Sequence, residues 1–125
     1  MLVAFDPGRN LGVAFVSETG ELLRHEVVSL GDLERLELPH AVTVLVGDGT
    51  GSAAVVAALR GRGLEPVLVP EEGTTLEARA LYFADHPPKG LGRLVPPGLR
   101  SAPVAIDDYA AYAVALRWLA ERGAG

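Results

Sequence analysis

The first apolar run of the chain, Leu2–Phe5, is cut off by Asp6-Pro7-Gly8, and the next, Val13–Val16, by the polar turn Ser17-Glu18-Thr19-Gly20. Runs this short, punctuated this closely, leave no room for a helix and predict a hairpin. Glu21–Leu30 carries Arg24, His25 and Glu26 among apolar residues, the pattern of a third strand with a wetted face. Thr43–Val46 is a β-branched run suited to a central strand buried on both sides, and it feeds the Ala-rich, helical Ser52–Leu59, which ends near Gly61 and Gly63. Glu65–Val69 repeats the strand signal. Thr74 or Thr75 can cap a helix through Leu76–Asp85, and Asp107 or Asp108 a last helix to Arg122. Residues 31–41 read equally well as a short helix or a turn.

Sequential strands followed by helix-linked strands predict an α/β protein. Its mixed five-stranded sheet would have an antiparallel and a parallel portion and be flanked by helices, in the order βββαβαα or a close variant. With 125 residues, 49% of them hydrophobic, the chain suits a single domain spanning 1–125. There is no cysteine, which excludes disulfides, thiolate zinc sites and thiol catalysis and points to a cytoplasmic setting. No signal-peptide pattern or membrane-spanning run is present. The net charge of −5 argues against coating nucleic acid with the whole surface, and leaves a local basic patch open.

The acids fall at element ends. Asp6 closes the first strand, and either makes an Asx-type turn or offers its carboxylate to a metal ion or phosphate. Glu71 and Glu72 follow the strand ending at Val69, where each is either a solvated loop charge or a ligand. Asp107 and Asp108 open the last helix, where each is either a cap or a ligand; neighbours in a helix point about 100° apart, so one can cap while the other faces a site. The first and fourth strands are expected to run the same way. Carboxylates at their ends and at a helix terminus can then converge into the oxygen-rich site that hard divalent cations require.

Gly47-Asp48-Gly49-Thr50-Gly51-Ser52 opens a helix, either as a plain strand-to-helix turn capped by Thr50 or Ser52, or as a cradle for phosphate. Between 86 and 106 there is no acid, while Lys89, Arg93 and Arg100 are interspersed with Pro and Gly. Such a stiff basic loop can lie along a phosphate backbone or simply balance the acidic domain, and Arg79 and Arg9 can join it. Tyr82, Phe83, Tyr109, Tyr112 and Trp118 fall at core-like helical spacing, and His25, His40 and His86 lack metal-ligand spacing.

The segment Asp6-Pro7-Gly8-Arg9-Asn10-Leu11-Gly12-Val13-Ala14 resembles the first motif of RuvC-like resolvases and YqgF-type nucleases. Val46–Ser52 resembles the glycine-rich segment of the YqgF-like domain in Tex transcription-associated proteins. Val69–Thr75 with Glu77-Ala78-Arg79, and Ile106–Ala111, are similar to the later YqgF motifs, so the resemblance spans nearly the whole chain. It implies an RNase H-like fold and a nuclease in which Asp6, Glu71 and Asp107 hold Mg²⁺ or Mn²⁺. Asp108 or Asp48 would be an auxiliary ligand, and Arg9, Thr50, Ser52, Arg79, Lys89, Arg93 and Arg100 would contact nucleic acid. Asp48 competes with Glu71 as the second ligand, and Ala110 stands where a resolvase carries a further Asp. The implied substrate is branched DNA or structured RNA, with a homodimer left open. The alternative is a catalytically silent RNase H-like module that binds nucleic acid or a protein.

Overall fold

The computed structural model describes residues 1–8, 10–72, 77, 78, 80, 81, 84 and 107–124. Five strands, β1 (Leu2–Asp6), β2 (Leu11–Val16), β3 (Leu22–Val28), β4 (Thr43–Gly47) and β5 (Val67–Val69), form one sheet in the order β3-β2-β1-β4-β5. β1–β2 and β2–β3 are antiparallel, whereas β1–β4 and β4–β5 are parallel. Helix α1 (Ser52–Gly61) links the last two strands, and α2 (Asp107–Ala124) follows them. This strand order, with β2 alone antiparallel to the other four, is the RNase H-like fold expected from the sequence. No helix among the described residues is long and apolar enough to cross a membrane.

Four strands precede α1, the fourth being the expected Thr43–Val46 run, in a close variant of the order βββαβαα. The ambiguous stretch 31–41 begins as a short helix. Ser29 caps a 3-10 helix, Leu30–Arg35, by accepting a hydrogen bond from the Asp32 N–H, and Leu33 is fully buried beneath the sheet. That helix carries the chain from the outer strand back to the centre, so β4 lies directly beside β1. β5 starts at Val67 rather than Glu65, because Pro66 has no N–H to give to a ladder. α1 ends in a left-handed Gly63 (φ +83°), with the Leu64 N–H bonded to the Leu59 carbonyl, a closure that only a residue tolerant of positive φ makes without strain. Gly51 (φ +91°), not Thr50 or Ser52, is the N-cap of α1, and no side chain caps it. Asp107 and Asp108 sit inside the first turn of α2 instead of ahead of it. Of the expected helix over 76–85, Glu77, Ala78, Ala80, Leu81 and Ala84 are helical; the rest, like the basic loop, lies outside the described residues.

Alternation along the strands sorts the side chains into two cores. Val3, Phe5, Val13, Phe15, Val44 and Val46 face the 3-10 helix and α1, packing on Leu33, Leu36, Val55 and Leu59. Leu2, Ala4, Ala14, Val16, Leu45 and Val69 face α2, packing on Ala111, Val114 and Ala115. The second layer is built from small residues, which lets α2 approach closely. Contact is tightest at Gly12, the partner of Asp6 in the β1–β2 ladder, where a Cβ would run into the backbone of Asp107 and Asp108. The hydroxyl of Tyr112 anchors the next turns by donating to the Gly20 carbonyl at 2.6 Å.

Because the atoms that meet at Gly12 are backbone, relief requires moving the helix. Gly12→Ala is therefore expected to destabilise the protein by about 3 kcal/mol, the upper end of ordinary overpacking, measurable as a lowered denaturant midpoint. An unchanged midpoint would show that α2 does not rest on β2 there.

Candidate functional site

Asp6 is the last residue of β1, and by the two-residue period of a strand its side chain lies on the α2 face with Leu2 and Ala4. Glu71 follows β5 by two residues, and its Oε2 is shielded from solvent. Its carboxylate rests against the backbone of the loop after β4. An added Cβ at Gly47 would stand 2.5 Å from Oε2, and one at Gly49 would overlap Oε1. Glycine at these two positions leaves the space that the Glu71 carboxylate occupies. Asp48 is exposed, and its Oδ1 accepts the Glu71 N–H at 3.2 Å while its own N–H bonds the Val69 carbonyl at 3.0 Å. Asp48 therefore orients the backbone of Glu71. Glu72 is exposed.

Asp6 and Glu71 are hydrogen-bonded side chain to side chain, which for two carboxyl groups requires a proton between them. Burial, first, then the bond to Glu71 and the charges of Glu71 and Asp107, push the Asp6 carboxyl up to about 8. Asp107 is also raised, mainly by burial and then by the charge of Asp108, while a hydrogen bond with the Asn10 side chain pulls the other way. Asp6, Glu71 and Asp107 are thus gathered at one end of the sheet, on one face. Among the described residues no three Asp, Glu or His side chains are set to hold one metal ion between them. The pair Asp6–Glu71 is in direct contact, and Asp107 acts on it through its charge.

Asp108 is turned elsewhere. Its Oδ2 is 2.6 Å from His25 Nδ1 on β3, its Oδ1 accepts the Tyr109 N–H at 3.0 Å, and the His25 and Tyr109 rings lie 5.2 Å apart. Thr50 is exposed and Ser52 half-buried at the start of α1, where a cleft of about 120 Å³ is lined by Pro7, Gly8 and Gly51. Arg9, Arg79, Lys89, Arg93 and Arg100 lie outside the described residues, as do Tyr82 and Phe83.

Two contributors escaped the sequence reading. His25 lacks metal-ligand spacing in the sequence, and its partner lies 83 positions away. Arg117, 19% exposed, donates to the Pro70 carbonyl at 2.9 Å and to Glu77 Oε1 at 2.6 Å, tying α2 to the segment that carries Glu71. One signal was available, since an arginine five residues before the end of the expected helix interrupts an otherwise apolar stretch.

A folded-state value near 8 for Asp6, against about 3.9 in the unfolded chain, fixes a sign. Between these values the folded protein holds a proton that the unfolded chain has released, so this group's contribution to stability is full below about pH 4 and lost as pH rises through 8. In chelator, the wild type is expected to lose stability relative to Asp6→Asn from pH 5 to pH 9, with Asp6→Asn the more stable at pH 9. Denaturant melts of both proteins across that range are the check, and parallel profiles would contradict the raised value.

An RNase H-like sheet with acids at the ends of β1, β5 and the start of α2 defines the class of site. No protein-family model matches the chain, and no curated protein matches it in sequence. Among solved structures it is similar to RuvC of Thermus thermophilus, at 21% identity and a TM-score of 0.48, over 98% of this chain and 95% of that one. It is likewise similar to T. thermophilus RuvC in complex with Holliday junction substrate, at 20% identity, the same TM-score and the same coverage. The strand order and directions, rather than these overlays, assign the fold.

Proposed function

We propose that the protein is a divalent-metal-dependent endonuclease acting on phosphodiester bonds of structured nucleic acid, branched DNA or folded RNA. The observation that carries this reading is the half-buried Asp6–Glu71 carboxyl pair, with Asp107 adding its charge, at the C-terminal ends of β1 and β5, which flank β4. Acids crowded on an apolar face are costly to the fold, and a structural role would be served as well by neutral side chains. The donors suit a hard divalent cation in kind, being carboxylate oxygens whose repulsion is relieved only by a shared proton. Asp6, Glu71 and Asp107 would hold such an ion. Mg²⁺ or Mn²⁺ bound there would supply Lewis-acid polarisation of a phosphodiester and a lowered pKa for the attacking water.

The remaining residues position these acids. Gly47 and Gly49 leave room for the Glu71 carboxylate, Asp48 and Arg117 hold its backbone and the preceding carbonyl, and the Asn10 side chain bonds Asp107. The uncapped start of α1 at Gly51 adds N–H groups that suit a phosphate beside the site. Lys89, Arg93, Arg100, Arg79 and Arg9 are proposed to hold the strand from the basic segment and the first loop, with Thr50 and Ser52 at its margin.

The test is Mn²⁺-dependent cleavage of labelled four-way DNA junctions, single strands, duplexes and structured RNAs. Asp6→Asn and Glu71→Gln should each slow cleavage more than about 100-fold, beyond the usual effect of losing an outer partner of a metal ligand. Both variants should keep the fold. Binding without cleavage in the wild type, undiminished in Asp6→Asn, would replace this reading with that of a silent nucleic-acid-binding module.

A further inference from the structure

His25 pairs with Ala14 in the β2–β3 ladder. Ala14 packs in the layer under α2, and directly paired residues share a face, so His25 stands on the α2 side of the sheet. Its Nδ1 lies 2.6 Å from Asp108 Oδ2, and since an ionised carboxylate only accepts, the imidazole donates. The Tyr109 ring flanks the imidazole with its centroid 5.2 Å away, and Tyr109 is itself buried with Ala78 and Ala110. The histidine ring therefore rests against a fixed neighbour with Nδ1 toward the helix start.

Exposed ion pairs contribute little to a fold, but this pair is not an exposed one at the acid. The Asp108 side chain is only 14% exposed, against 40% for His25. Its second oxygen accepts the N–H of Tyr109, the next residue, a local bond that does not join the helix to the sheet. Removing the partner of a shielded carboxylate costs more than the pair contributes, because the charge is left without compensation. The helix start offers the way out. Its first turn lies ahead of Ala111, Val114 and Ala115, by which α2 packs on the strands, and helix ends open more readily than their middles. Lifting that turn off Gly12 would return Asp108 to water, and Asp107, its neighbour in the chain, would leave Asp6 with it. β2 lies between β1 and β3, so the two acids are drawn to opposite sides of the strand on which the helix rests.

We propose that His25 is a positioning residue for the carboxylate site: by pairing with Asp108 from the outer strand it keeps the first turn of α2 seated, and so keeps Asp107 beside Asp6. His25 acts through Asp108 and the helix backbone, without touching the ion. The role of Asp107 toward a metal ion rests on the nuclease reading, whereas the anchoring of the helix does not.

Two measurements on the full chain test this: amide hydrogen exchange along α2 without metal, and Mn²⁺ affinity from the electron paramagnetic resonance of the free ion. His25→Leu keeps bulk and removes the donor. It should speed exchange in the first turn of α2 about fivefold or more, with the later turns unchanged. It should also weaken Mn²⁺ binding about tenfold, the lower end of losing an outer partner of a metal site. His25→Asn restores an N–H donor, and His25→Leu combined with Asp108→Asn leaves no charge in need of water; both should bring each readout back to within about threefold of the wild type. Ser29→Ala, which removes the cap of the 3-10 helix on the opposite face, should lower stability and move neither readout.

Unchanged exchange at the helix start in His25→Leu overturns the proposal. So does a loss that neither His25→Asn nor the double variant recovers, or one that Ser29→Ala reproduces, since His25 would then serve stability alone. Faster exchange with unchanged Mn²⁺ affinity overturns the link to Asp107. A wild type that binds no Mn²⁺ overturns the nuclease reading instead, and hydrogen exchange then still decides whether His25 anchors the helix.

Discussion

The fold and the acidic site depend on one close approach, the seating of the first turn of α2 on Gly12. Any side chain there would strike the helix backbone, so glycine at this ladder position sets the height at which α2 crosses the sheet. Since Gly12 pairs with Asp6, the helix start that rests on the one brings Asp107 near the other. The alanines of α2 and of the strands beneath it, Ala111, Ala115, Ala4 and Ala14, continue this close packing away from the site. Larger residues would have filled the layer equally well, but would have lifted Asp107 off the end of β1.

Electrostatics at the site oppose the packing that creates it. The burial that locates Asp6 also makes its charged form unfavourable, and Glu71 and Asp107 act in the same direction. The Asp6 carboxyl is raised in response, glycine backbone leaves room for Glu71, and Asp108 has a separate partner. His25 takes up Asp108, so of two consecutive acids in the first turn of α2, one is engaged on the outer strand and the other remains beside Asp6. The sheet thereby assigns different roles to residues the sequence presents as a pair.

The elements were largely legible because their signals are local. Short β-branched runs between glycine and acidic turns gave the strands to within a residue or two, and the parallel relation of the first and fourth strands followed from the helix-linked order. The 3-10 helix was not legible, since Ser29, Asp32 and Leu33 each suit a turn until the sheet gives Leu33 something to pack against. The acids could be ranked as candidates from their places at element ends, but not told apart. Asp48 and Glu71 looked like competing ligands, whereas the carboxylate of one bonds the backbone of the other. Caps are misplaced for a related reason: Gly51 serves α1 through its conformation, whereas the sequence draws attention to the hydroxyls of Thr50 and Ser52. Contacts across 40 or more positions, such as Arg117 with Pro70 and His25 with Asp108, leave no local pattern to read.

The division of the core into two layers also sets an order of assembly. The layer under α1 draws only on residues from Val3 to Leu64 and takes one face of the β1–β2–β3 meander, whose pairings are short in sequence and so quick to form. The layer over the acids waits for α2, which follows every strand. Until that helix docks, Asp6 lacks the cover of α2 and the charge of Asp107, with Glu71 alone beside it. Part of the cost of crowding the carboxylates is therefore deferred until one hydrophobic layer is in place to hold the sheet together.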